Sequence, residues 1–227
     1  MRLCMFAPAD HEMERGWVGR MDGDQVVHLA AQTLQSFFTG GGKAREHAVY
    51  RLDEVAMRAP VLHPPSLRLF EGAEDFAFTN STVIHAPGAA IERGGALTVL
   101  PRLAGVIGRE QGIEGFTVLA ELRDPTRAAP KDRDFALVLG PVVVTPDELG
   151  DLSLDVAVRV GGEERATARF DGFDWSAARD LAADGTRLRT GDVIAGPPAA
   201  VVEGALGQVE IEVAAIGVLR FTVGPEA

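Results

Sequence analysis

The chain has 227 residues, 46% of them hydrophobic and 24% charged, which excludes a disordered chain and fits one ordinary domain or a main domain with a small appendage. Its net charge of −11 is spread without any Lys/Arg cluster, so neither nucleic acid nor an anionic membrane surface is an expected partner. No apolar run approaches the roughly 20 residues of a membrane span, and Asp10, His11, Glu12 and Glu14 stand where a signal peptide would carry its apolar core, so a cytoplasmic protein is expected.

In chain order, Met1 to Ala7 reads as an edge strand. It contains the only cysteine, Cys4, within the apolar run Leu3-Cys4-Met5-Phe6. A lone cysteine permits no intramolecular disulfide and no thiolate cluster, and a buried structural thiol is the expectation. Trp17 to Met21 and Gln25 to Leu29 are strand-like runs joined by Asp22-Gly23-Asp24, a hairpin signal because glycine accepts positive φ. Leu29 to Phe38 has helical spacing, with Leu29, Thr33, Leu34, Phe37 and Phe38 on one side, and Gly40-Gly41-Gly42 ends it. Lys43 after those glycines does not make a phosphate loop, since Ala44 follows and no strand feeds the turn.

His63-Pro64-Pro65-Ser66 marks a linker, because proline restricts its own backbone and that of its predecessor. Residues 1–62 are therefore expected to form a small N-terminal α/β unit and residues 63–227 the main domain. Beyond the linker Val99 to Ile107, Phe116 to Glu121, Phe135 to Val144, Ser153 to Val160, Glu164 to Phe170 and Val209 to Val223 are predicted strands. A helix is predicted over Ser176 to Ala183 and a short one from Pro146. Many strands in succession with few helices predict a β-rich α+β fold. Generic motifs add nothing: the His11-Glu12 pair lacks a second histidine four residues on, and no G-x-S-x-G or G-x-G-x-x-G occurs.

The ordered set of segments is more specific. Pro64-Pro65-Ser66-Leu67-Arg68, Phe78-Thr79-Asn80 and Ala86-Pro87-Gly88 come first. Leu103-Ala104-Gly105-Val106-Ile107-Gly108, Gly115-Phe116-Thr117-Val118, Lys131-Asp132-Arg133-Asp134-Phe135 and Gly140-Pro141-Val142-Val143-Val144-Thr145-Pro146 follow. Gly191-Asp192-Val193-Ile194-Ala195-Gly196 and Gly207-Gln208-Val209-Glu210-Ile211 come last. Together they resemble the fumarylacetoacetate hydrolase superfamily over nearly the whole chain. The resemblance implies a mixed β-roll, usually homodimeric, whose enzymes cleave, decarboxylate or isomerise 2-oxo or diketo acids with Mg²⁺ or Mn²⁺.

It also implies two metal-binding glutamates, one residue apart, just before the Leu-Ala-x-Val-Ile-Gly strand. Residues i and i+2 of a strand face the same way, so both carboxylates could reach one ion. Those positions here hold Leu100 and Arg102, and the third ligand position holds Glu121. The usual metal site is thus expected to be lost, with no cofactor unless ligands are relocated to Glu92, Glu110, Glu114, Glu121 or Asp124. Lys131 matches the family's active-site lysine, whereas His85 and Asn80 read as structural.

Arg102 and Glu121 are expected to form a buried ion pair, with the guanidinium in place of the metal's charge. Two functions stay open. One is a pseudoenzyme with a structural or regulatory role, acting as a homodimer or beside an active paralogue. The other is a metal-independent enzyme for a small oxo acid, with Arg102, Lys131 and Glu121 as its catalytic groups.

Overall fold

The computed structural model describes residues 1–11 and 13–224. Glu12, and with it the His11-Glu12 reading, lies outside the described residues. Among the described residues two sheets carry the fold, one of thirteen strands and one of five. Helices are few and short, at Leu34–Thr39, Pro146–Leu149 and Trp175–Ala183. The β-rich α+β class is observed.

At the centre of the large sheet, the antiparallel strands Leu97–Ile107, Ile113–Arg123 and Leu137–Val144 lie side by side. All three are buried almost throughout, as expected for apolar runs covered on both faces. The small sheet runs Glu163–Phe170, Leu154–Val160, Gly207–Val213, Gly217–Gly224 and Ala90–Glu92. Its strands alternate buried and exposed residues, so one face packs on the core and the other meets water. Val99, Val118 and Val138 of the large sheet share one apolar cluster with Val156, Ile211 and Phe221 of the small one. A second cluster covers the opposite face of the large sheet under Leu34, Phe37 and Phe38.

The first strand, Arg2–Pro8, departs from the expected edge. It pairs with Trp17–Asp22 on one side, and with Leu137–Val144 and Val55–Arg58 on the other. Its five central residues are buried, so its apolar run belongs to an interior strand. Through Leu3 opposite Val143, the strands of the first 62 residues join the same sheet as the central three. The Gly23 hairpin is present, with φ +61° at the glycine and Asp22 paired with Gln25.

The first helix is shorter than its apolar spacing suggests. Leu29 ends a strand opposite Glu46, and the helix begins only at Leu34. Thr33 sets that start, since its hydroxyl accepts from the Ser36 amide at 3.0 Å and Ser36 returns the bond. The predicted strand Val209 to Val223 is two strands, Gly207–Val213 and Gly217–Gly224, folded back at Ala215 with φ +63°. The helix from Trp175 is capped by Asp174, which accepts from the Ala177 amide at 2.9 Å. No helix is long and apolar enough to cross a membrane among the described residues.

Candidate functional site

Register builds the site. Leu100 lies directly opposite Glu121, and Arg102 opposite Leu119. Side chains alternate along a strand, so Leu100, Arg102, Leu119, Glu121 and Arg123 share one face. Arg102 and Glu121 are diagonal neighbours, a separation that long side chains span. Arginine Nε donates to Glu121 Oε2 at 2.7 Å, and Nη2 is also 2.7 Å from that oxygen. Both side chains are fully buried.

Two short strands complete the enclosure. Leu67–Phe70 and Val193–Ala195 run parallel to each other, and the latter pairs with Ala104, Gly105 and Val106. The carbonyls of Phe70, the last residue of the first, and of Gly196, which follows the second, both face Arg102. Arg102 Nη1 donates to Phe70 O at 2.6 Å and to Gly196 O at 2.9 Å. Its Nη2 donates to Glu71 Oε1 at 2.9 Å. One guanidinium therefore ties two strand ends to the central strand pair.

Arg123 adds a second cation. Its Nε donates to Glu121 Oε1 at 2.7 Å and its Nη2 to Glu71 Oε1 at 3.1 Å. Burial works against the charge of Arg123, but its bond to Glu121 and the charges of Glu121, Glu71 and Asp132 outweigh it. Its pKa is therefore raised above the usual arginine value. Two arginines and two glutamates form one network in which each oxygen of Glu121 meets a different guanidinium. Such pairing is what a buried carboxylate requires.

Lys131 stands apart. Its side chain is 69% exposed, and Nζ donates to Asp134 Oδ2 at 2.6 Å. Among the described residues its ion pair is with Asp134 and not with Glu121. Asn80 holds a turn: its Oδ1 accepts from the Thr82 amide at 3.0 Å, and its Nδ2 donates to Asp134 O at 3.2 Å. His85 sits in the short strand Ile84–His85, and burial pushes its pKa down.

The other acidic residues do not gather. Glu114 accepts from the Arg109 amide at 3.2 Å, and Asp124 lies 3.5 Å from Arg127 and 3.8 Å from Arg93. No three His, Cys, Asp or Glu side chains converge on one point among the described residues. A cavity of about 360 Å³ opens at Leu103, whose side chain alternates to the face opposite Arg102, between Phe170, Phe173, Trp175 and Pro197.

Two members of the network were not singled out from the sequence. Arg123 is two residues past Glu121 and so on its face, a signal that strand alternation carries. Glu71 follows a four-residue strand in a turn, and nothing local places it beside Arg102.

Residues 45–224 match the family model described as Fumarylacetoacetate (FAA) hydrolase C-terminal. No curated protein matches the chain in sequence. Among solved structures it resembles a maleylpyruvate hydrolase from Sphingobium sp. SYK-6 in complex with manganese(II) and pyruvate. That match has TM-score 0.83 and 19% identity and covers 100% of both chains. A 5-carboxymethyl-2-hydroxymuconate delta-isomerase from Mycobacterium smegmatis matches with TM-score 0.81 and 21% identity over 100% of both chains. A 2-keto-3-deoxy-D-arabinonate dehydratase complexed with magnesium and 2,5-dioxopentanoate matches with TM-score 0.79 and 15% identity, again over 100% of both. At these identities the likeness concerns the fold.

Proposed function

Because the chain belongs to the fumarylacetoacetate hydrolase family, we propose that it is a non-catalytic member in which an internal ion-pair network occupies the place of the family's metal. Its structural relatives act on oxo acids, and two of them hold manganese or magnesium. A hard divalent ion wants several oxygen ligands. The positions that the resemblance assigns to two glutamates hold Leu100, which has no donor atom, and Arg102, which is a cation. Glu121 remains, with both oxygens taken up by guanidinium groups. This set of side chains does not fit Mg²⁺ or Mn²⁺.

The observation that carries the reading is the saturation of Arg102. Its guanidinium makes hydrogen bonds to Glu121, Phe70, Gly196 and Glu71, and it is fully buried. A catalytic arginine needs free N–H groups aimed at a developing negative charge. The same saturation, with Lys131 exposed and paired to Asp134, weighs against a metal-independent oxo-acid enzyme built on these residues. The role left for such a chain is structural or regulatory, as a homodimer or beside a metal-competent paralogue in the cytoplasm.

A thermal-shift titration with Mg²⁺ and Mn²⁺, each with and without oxalate as an enolate mimic, tests this. A ligand that binds only the folded state stabilises it by about 2.7 kcal/mol at 100 times its Kd, or roughly 5–10 °C in Tm for a chain of this length. No shift under any condition is expected. A metal-dependent rise, larger with oxalate, would overturn the proposal in favour of a working metalloenzyme. A rise with oxalate alone would replace it with a metal-free anion site.

A further inference from the structure

A second constellation lies in the N-terminal strands. Gln25–Leu29 and Glu46–Arg51 are antiparallel, with Val27 opposite Val49 and Leu29 opposite Glu46. Between those pairs one residue, His28, faces two, His47 and Ala48, which is a β-bulge. Tyr50, opposite Val26, packs with Phe6 and Trp17 on the face that carries His28. In an unbroken ladder His47, three residues from Tyr50, would point to the other face. The bulge turns it back.

The result is two imidazoles 5.2 Å apart between ring centres, inclined at 36°. Trp17 stacks on His28, 4.8 Å away and within 14° of parallel. His47 is exposed and His28 half-buried, so the pair is open to solvent on one side and walled by an indole on the other. Gly19, directly opposite His28, has no room for a larger residue. A Cβ there would come within 2.6 Å of Val26 and 2.9 Å of the Cys4 sulfur.

We propose that His28 and His47 are the two protein ligands of a surface site for one borderline divalent transition-metal ion, of the zinc, nickel or copper class, with water completing the coordination. Two imidazoles on one tetrahedral ion, each bound at about 2.0–2.1 Å, have ring centres on the order of 5 Å apart. The observed 5.2 Å matches that separation. Imidazole suits these metals, whereas magnesium and manganese prefer oxygen. The site is therefore independent of the network around Arg102, and its fate does not follow that of the proposed function. Around the pair, Tyr50 packs against Trp17, and Glu46 is held by Arg20 at 2.8 Å.

Trp17 supplies the readout, being one of only two tryptophans. Nickel or copper added to tag-free protein at neutral pH should quench part of the tryptophan emission, saturating at one ion per chain. Zinc, which does not quench, should reverse the effect by competition, and magnesium should do neither. His47→Ala alters an exposed side chain and leaves the stack on Trp17 in place. It should weaken nickel and zinc binding by at least about tenfold, the least expected when a direct ligand is lost, with unchanged circular dichroism. Equal binding by the His47→Ala variant, absence of quenching in the wild type, or an equal response to magnesium would overturn the site.

Discussion

Arg102 and Glu121 meet at 2.7 Å with neither side chain reaching solvent, although the residue directly opposite Glu121 is Leu100. The pair is diagonal, and the leucine opposite the carboxylate is itself buried. This is the face on which the family resemblance expects metal-binding carboxylates. The same guanidinium binds two strand-end carbonyls, so it serves the fold as well as the carboxylate.

Replacing Arg102 with Ala strands a buried carboxylate and two buried carbonyls. The loss should be about 3–5 kcal/mol, which for a chain of this length lowers Tm by on the order of 10 °C. Replacing both partners with apolar residues, Arg102→Met with Glu121→Leu, should recover part of it, because the buried carboxylate is gone while the carbonyls of Phe70 and Gly196 still lack their donor. Urea or thermal denaturation of the three proteins decides the matter. A single variant as stable as wild type would mean that the pair contributes nothing.

Restoring carboxylates should restore metal affinity. In Leu100→Glu with Arg102→Glu, two glutamates share a strand face with Glu121, three oxygen ligands within reach of one hard ion. The variant should be less stable than wild type without metal and should gain a Mn²⁺-dependent rise in Tm of several degrees, roughly as mass action requires. A folded variant indifferent to manganese would place the family's metal position elsewhere in this chain.

Stability should fall on mild acidification. Burial lowers the pKa of both His28 and His85 from 6.5, and His47 lowers that of His28 further. A histidine whose folded pKa is depressed binds fewer protons folded than unfolded. Its stabilising effect is therefore present above 6.5 and lost as the pH falls through that value towards the folded pKa. Tm followed from about pH 8 to about pH 5.5 should decline, and less steeply in His85→Asn. Parallel profiles for the two proteins would show that His85 is not a source of the slope.

Cys4 should be inert in the native protein. Burial raises its pKa to about 12, against the smaller opposing effect of its backbone hydrogen bond to Gly19. With almost no thiolate at neutral pH and no exposed surface, the thiol should resist maleimide in the folded state and react promptly in urea. Stoichiometric labelling of native protein within minutes would contradict this.

Much of the architecture was legible in the chain because apolar alternation and turn chemistry are local. The Gly23 hairpin, the Asp174-capped helix and the five strands from Val99 to Phe170 stand close to where pattern and punctuation put them. Failures came where partners far along the chain decide. Arg2–Pro8 looks like an edge from its own residues, and only Leu137–Val144, more than a hundred residues later, makes it interior. Leu29 is helical by spacing and a strand residue by pairing with Glu46. Short strands such as Val193–Ala195 and Leu67–Phe70 are too brief to show any period of their own.

The site divides in the same way. By itself the sequence determined that leucine and arginine stand at two positions where the family resemblance expects carboxylates. That Arg102 and Glu121 should meet was an expectation of the resemblance, because alternation sets side-chain direction along one strand and leaves its register against the next open. Only the tertiary structure decided that both would be fully buried, that Phe70 and Gly196 would end their strands against the guanidinium, and that Glu71 and Arg123 would close the network. It decided too that Lys131 would face solvent, and that a bulge would turn His47 towards His28. Register and burial arise from pairing between distant segments, and no local pattern encodes which carbonyl will be left at the end of a strand.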